Sequence, residues 1–282
     1  MDLRSMLEFP PFQNVFVAGT LVAIVAGCVG YFLLLRGLTF AGHALSHVGF
    51  AGAAGALVLG MNPIFGLLVF TLLAALGIGA MGRRVDERDI TIGIIMTMLL
   101  AFGSLFIALY HGYAEQAYSI LFGSVMGISR TDVLVTAVLC LIVLSGLALI
   151  FRMLLFASYD AEVAEARGVP VKLLAMIFMF FLAITVSLSV QVVGVLLIFT
   201  LLVGPAAAAI QLSASPPRAI FIAVVLAVGY TWLGIYWAIR QAYPVTFCIA
   251  AIAFAVYVLV KIINLPVFER RFARTRPQES AA

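Results

Sequence analysis

Apolar residues gather along this chain in long blocks, at about 14–35, 43–60, 62–82, 91–110, 131–154, 172–191, 192–212, 218–238 and 244–263, with short polar breaks between them. Each block approaches the roughly 20 residues a helix needs to cross a bilayer. The blocks are apolar on all sides instead of alternating, which predicts helices and not barrel strands. Met61-Asn62-Pro63 and the Ser-Ala-Ser-Pro-Pro run at 213–217 supply helix stops. The stretch 172–212 admits two full spans or one span with a broken helix. The expected fold class is therefore all-α: a polytopic membrane helix bundle with about eight or nine transmembrane helices.

Composition agrees with the pattern. Hydrophobic residues make up 65% of the 282 residues and charged ones 10%, with a mean hydropathy of +1.22. A soluble domain cannot hide that much apolar surface. Residues 1–13 have no apolar core and no small-residue cleavage site, so they read as an N-terminal tail instead of a secretory signal. Residues 14–264 form the expected membrane domain, and 265–282 a cytoplasmic tail.

Basic residues set the orientation. With the N-terminus outside and the C-terminus inside, only Arg4, Arg130 and Arg240 of the 16 Lys and Arg residues are external. The net charge of +4 is thus a topology signal and not a nucleic-acid footprint. Cys28, Cys140 and Cys248 lie in separate apolar blocks and read as packing residues.

Two loops depart from plain connectors. External residues 111–130 are half apolar, and Ile120 to Ile128 suits a re-entrant or surface-lying piece. His111 and Glu115 in this loop suit collection of an incoming cation, with a solvated loop as the blander reading. Cytoplasmic residues 157–171 are polar and helix-forming, then broken at Gly168-Val169-Pro170. Asp160 fits an N-cap, Glu162 the first turn and Arg167 the last. Spacing leaves a surface helix and a solvated loop equally open. Asp86-Glu87-Arg88-Asp89 reads as a solvated cytoplasmic turn capping the next helix.

The most informative chemistry is His43 and His47, four residues apart in the glycine-rich stretch 42–52. No other ionisable side chain occurs from Gly37 to Gly82. Ionisable groups inside a membrane are costly and usually face a pathway or a partner. Positions i and i+4 share a helix face, so both imidazoles can meet one ion. Ser46 sits beside them and can either touch the ion or bond its own i−4 carbonyl. Gly204-Pro205 falls inside a block and predicts a helix kink.

Four stretches together resemble the membrane-spanning permease subunits of ABC importers for zinc, manganese or iron. They are Gly-His-Ala-Leu-Ser-His (42–47), Leu-Phe-Gly-Ser-Val-Met-Gly-Ile-Ser-Arg-Thr-Asp (121–132), Tyr-Asp-Ala-Glu-Val-Ala-Glu-Ala-Arg-Gly-Val-Pro (159–170), and Gln-Val-Val-Gly-Val-Leu-Leu followed by Leu-Leu-Val-Gly-Pro-Ala-Ala-Ala-Ala (191–197, 201–209). The resemblance implies a homodimer in the bacterial inner membrane, a cytoplasmic ABC ATPase, and an external metal-binding protein. It makes 157–169 the coupling segment, with Asp160, Ala161, Ala164, Glu165 and Gly168 toward the ATPase. It assigns His43, His47 and Ser46 to the metal pathway.

The family usually has Asp where this chain has His43. Imidazole in place of carboxylate favours zinc over manganese or iron as the transported ion. No permanently bound cofactor is expected. The chain has no Gly-x-x-x-x-Gly-Lys-Ser/Thr loop, so ATP would sit on a partner subunit and this chain would not be an enzyme. His-Ala-Leu-Ser-His lacks the glutamate of a zinc protease. The alternative is an autonomous secondary transporter or channel for divalent cations. It would call for mid-span carboxylates or inverted repeats, and the chain offers neither.

Overall fold

The computed structural model describes residues 10–80, 85–110, 123, 128–195 and 197–274. Ten helices follow one another among them, with no strand: α1 (Pro10–Leu35), α2 (Thr39–Val58), α3 (Pro63–Ala80), α4 (Val85–Leu109), α5 (Arg130–Tyr159), α6 (Ala161–Ala166), α7 (Val171–Val193), α8 (Ile198–Leu212), α9 (Pro216–Gln241) and α10 (Val245–Arg274). Each expected apolar block falls on one of these helices. Six are long and apolar enough to span a membrane, and Pro63–Gly79 and Ile198–Leu212 are shorter apolar helices. The 20 residues of α2 are long enough, but two histidines and four glycines dilute its apolar character.

Local sequence explains the ends. Pro10 opens α1, and Pro216-Pro217 opens α9, where a missing N–H costs nothing. Ser129 and Asp132 close a capping box on α5: the Asp132 N–H donates to Ser129 Oγ at 3.2 Å and the Ser129 N–H to Asp132 Oδ2 at 2.9 Å. Two expectations change. Asp86 to Asp89 lie in the first turn of α4 and not in a preceding loop. The last helix also runs past residue 263 to Arg274, so part of the expected tail is helical.

Packing places α1 at the centre, against α5, α7, α8 and α9. A second group joins α2 to α3 and α4, and α7 closes on both α3 and α1. Without a hydrophobic drive between helices in lipid, close backbone approach matters most. Gly52 of α2 and Gly66 of α3 face each other so closely that a Cβ on either would strike the other's carbonyl. The buried Thr71 and Ser187 hydroxyls pair at 2.8 Å and tie α3 to α7. Trp232 Nε1 donates to Thr20 Oγ1 at 2.8 Å and ties α9 to α1.

The 172–212 ambiguity resolves into a full-length helix and a short one. α7 ends at Gly194, whose φ 74° and ψ 164° lie in a region open essentially to glycine alone. α8 then has only 15 residues. That is about 22 Å, short of the roughly 30 Å hydrocarbon core. The Leu202 carbonyl sits against Gly30, and Leu34 packs on Ala206 and Ala209. α8 therefore runs beside the C-terminal half of α1 in the same direction, and begins inside the bundle with Leu197 and Ile198 buried. Pro205 lies buried within α8, and the helix continues through it to Leu212. A Cβ on Gly204 would make only ordinary contact with Ala253 of α10.

Candidate metal-pathway site and coupling segment

His43 and His47 project from the first half of α2, both half-buried amid buried neighbours. Their Nε2 atoms are 3.2 Å apart, and the rings stand edge to face at 86° with centroids 4.6 Å apart. One nitrogen donates and the other accepts in that contact. Two bonds of about 2.0–2.1 Å at a tetrahedral angle would separate two nitrogen ligands by about 3.3 Å. The pair is thus already spaced to chelate one ion. Longer bonds at an octahedral right angle give a similar separation, so this distance suits a divalent ion without choosing it.

No cluster of three or more His, Cys, Asp or Glu occurs among the described residues. Two imidazoles leave several coordination positions open, which suits passage more than storage. Ser46 is buried and donates to the Gly42 carbonyl at 3.2 Å. Its hydroxyl is directed along its own helix backbone. His111 and Glu115 lie outside the described residues.

One neighbour was not foreseen. Phe199, in the first turn of α8, meets His43 edge-on with centroids 5.2 Å apart at 77°. An apolar ring in an apolar block carries no signal that it will face a histidine. The glycine of Gln-Val-Val-Gly-Val, Gly194, ends α7 in a conformation that starts α8 beside α2.

The segment 157–169 contains the short helix α6, between the ends of α5 and α7. Asp160 caps it, accepting from the Val163 N–H at 3.0 Å. Gly168, at φ 81°, lets Val169 N–H reach the Ala164 carbonyl at 3.0 Å and Gly168 N–H reach Glu165 at 3.0 Å, a Schellman stop. One assignment needs correction. Ala164 is 0% exposed and Ala161 packs partly on the core, so the small residues seat α6 on its own bundle and not on a partner. Asp160, Glu162, Val163, Glu165, Ala166, Arg167 and Gly168 are exposed.

The geometry is that of a membrane bundle with a paired-imidazole site and a small helix at one end. Residues 8–264 match the ABC 3 transport family, and the chain belongs to it. It is 32% identical over 235 residues to the manganese transport system membrane protein MntC of Listeria monocytogenes, covering 83% of this chain and 84% of the relative. It is 30% identical over 235 residues to the manganese import system permease protein ScaB of Streptococcus gordonii, covering 83% and 84%. Among solved structures it resembles PsaBC from Streptococcus pneumoniae in complex with Fab, with TM-score 0.83, 29% identity, and 92% and 93% of the two chains covered. The chain is a multi-pass permease component of an ABC metal-transport family, located in the cytoplasmic membrane.

Proposed function

We propose that this chain is the permease of an ATP-driven importer whose cargo is Mn²⁺. A separate cytoplasmic ATPase supplies energy, an external metal-binding protein delivers the ion, and a second copy of the chain completes the pathway. The observation that carries the reading is the His43–His47 pair, 3.2 Å apart on a membrane helix otherwise free of ionisable groups. Imidazole chemistry alone pointed to zinc. The relatives named for manganese outweigh that preference, because geometry and availability override ligand softness when only two ligands are fixed.

The test is uptake of Mn²⁺ and Zn²⁺ by cells expressing the chain with its neighbouring subunits. His47→Ala removes one imidazole without adding bulk, so uptake should fall to background while the complex still assembles. His43→Asp, a hard oxygen for a nitrogen, should keep transport and raise the Mn²⁺ to Zn²⁺ ratio. Wild-type uptake by a His43→Ala/His47→Ala double variant would remove the site. Transport by the chain alone in liposomes, without ATP, would favour an autonomous carrier instead.

A further inference from the structure

The cytoplasmic end of α1 holds a set of contacts that the metal pair does not use. Arg36 follows the last residue of α1 and is half-buried. Its Nη1 donates to Ser158 Oγ on α5 at a long 3.4 Å, and its guanidinium carbon lies 5.7 Å from the centre of the Phe178 ring on α7. One turn earlier, the fully buried Phe32 meets Phe151 of α5 edge-on at 5.7 Å and Phe178 at 6.3 Å. Tyr159, the last residue of α5, directly precedes the Asp160 cap of α6.

Both flanks of α6, the end of α5 and the start of α7, are thus fastened to one end of α1. That end turns directly into α2. Leu38 N–H reaches the Leu33 carbonyl at 2.9 Å and Gly37 N–H reaches Leu34 at 3.1 Å, a tight Schellman corner. His43 stands in the first turns of α2 beyond it. An arginine that only marks the cytoplasmic side needs nothing but water around it. This one gives up part of its hydration to sit over a ring that is 0% exposed. Arginine suits the place because its planar cation can stack on a ring and donate sideways at once.

We propose that Arg36 is a positioning residue: it locks the α6 segment to the α1–α2 corner, so that a displacement of α6 by the ATPase reaches His43 and His47 as a movement of that corner. Three helices held at one buried aromatic node move together as a body, which is how a short cytoplasmic helix can act on a site it does not touch. The inference rests on the ATP-driven reading above.

The experiment uses the complete transporter in liposomes and reads Mn²⁺ moved per ATP hydrolysed, together with ATPase copurification. Arg36→Gln should copurify with the ATPase and hydrolyse ATP, while the ion-to-ATP ratio falls on the order of ten-fold. Arg36→Lys keeps the charge over the ring and should recover part of the ratio. Phe178→Leu keeps apolar volume but removes the ring, so it should lower the ratio like Arg36→Gln. The two together should do no worse than either alone, as expected for one shared contact. It is also the variant to read if Arg36→Gln fails to accumulate. A wild-type ratio in Arg36→Gln, or in Phe178→Leu, overturns the proposal. His47→Ala is run beside them: wild-type uptake there sinks the metal-site reading and leaves the Arg36 result to be judged separately.

Discussion

Ala242 is the one residue other than glycine with a left-handed backbone among those described, at φ 55° and ψ 34°. It closes α9, with Tyr243 N–H reaching the Ala238 carbonyl at 3.2 Å. Glycine fills the same position at Gly37, Gly60 and Gly168. A Cβ in that conformation costs about 1–2 kcal/mol, partly offset by the greater freedom glycine has when unfolded. Ala242→Gly should therefore raise the thermal midpoint in detergent, by a net stabilisation of about 0.5–1 kcal/mol. A lowered midpoint would show that the Cβ makes contacts worth more than the strain. At this scale the sequence was legible where chemistry contrasts with its surroundings. Two histidines in a long apolar stretch announce themselves. Phe199 and Phe178 do not, because one phenylalanine in an apolar block looks like another until the helices are placed around it.

Elements were legible by the same logic. Unbroken apolar blocks, prolines at their starts and glycines after their ends mark most helices to within a few residues. What could not be read was length set by tertiary packing. The stretch 172–212 admits two full spans or a broken helix, and only the packed structure shows that Gly194 ends α7 and α8 starts within the bundle. Gly194→Ala places a Cβ in a conformation costing about 1–3 kcal/mol, and the first turn of α8 must shift to relieve it. Uptake should fall sharply and the thermal midpoint should drop. Gly204→Ala makes only ordinary contacts, with Ala253 at 3.7 Å and Thr200 at 3.9 Å, and should change little. Equal, mild effects from both would mean that the break is not what positions Phe199 and His43. A similar contrast applies to α6, where the family resemblance places Ala161 and Ala164 toward the ATPase. Ala164 is buried and Val163 is 43% exposed. Ala164→Arg should stop the permease accumulating, whereas Val163→Arg should leave it folded and reduce ATPase copurification. Normal accumulation of Ala164→Arg would return that residue to the outer face.

Across the whole molecule, helix direction and charge give the same sidedness. Asn14 Nδ2 donates to the Ile128 carbonyl at 3.0 Å, which brings the start of α1 to the residues leading into α5 and Arg130. At the other end, Arg36 reaches Ser158, so the ends of α1 and α5 lie together beside α6 and the start of α7 with Lys172. α9 runs antiparallel to α1, since Val224 approaches Gly27 and the Trp232 ring lies 5.2 Å from Phe16. That puts Arg218 with the α6 end and Arg240 with the opposite one. Positive charge thus collects at the end that carries α6, as it does on cytoplasmic faces. Glu162 and Gln241 are exposed at opposite ends. The native cysteines give little background: all three lie within long helices, with Cys140 and Cys248 buried. Glu162→Cys should react with a membrane-impermeant maleimide only after the cytoplasmic face is opened. Gln241→Cys should react in intact cells from outside. External labelling at 162 would invert the molecule, place α6 away from ATP, and remove the physical basis for reading it as the segment that meets an ATPase.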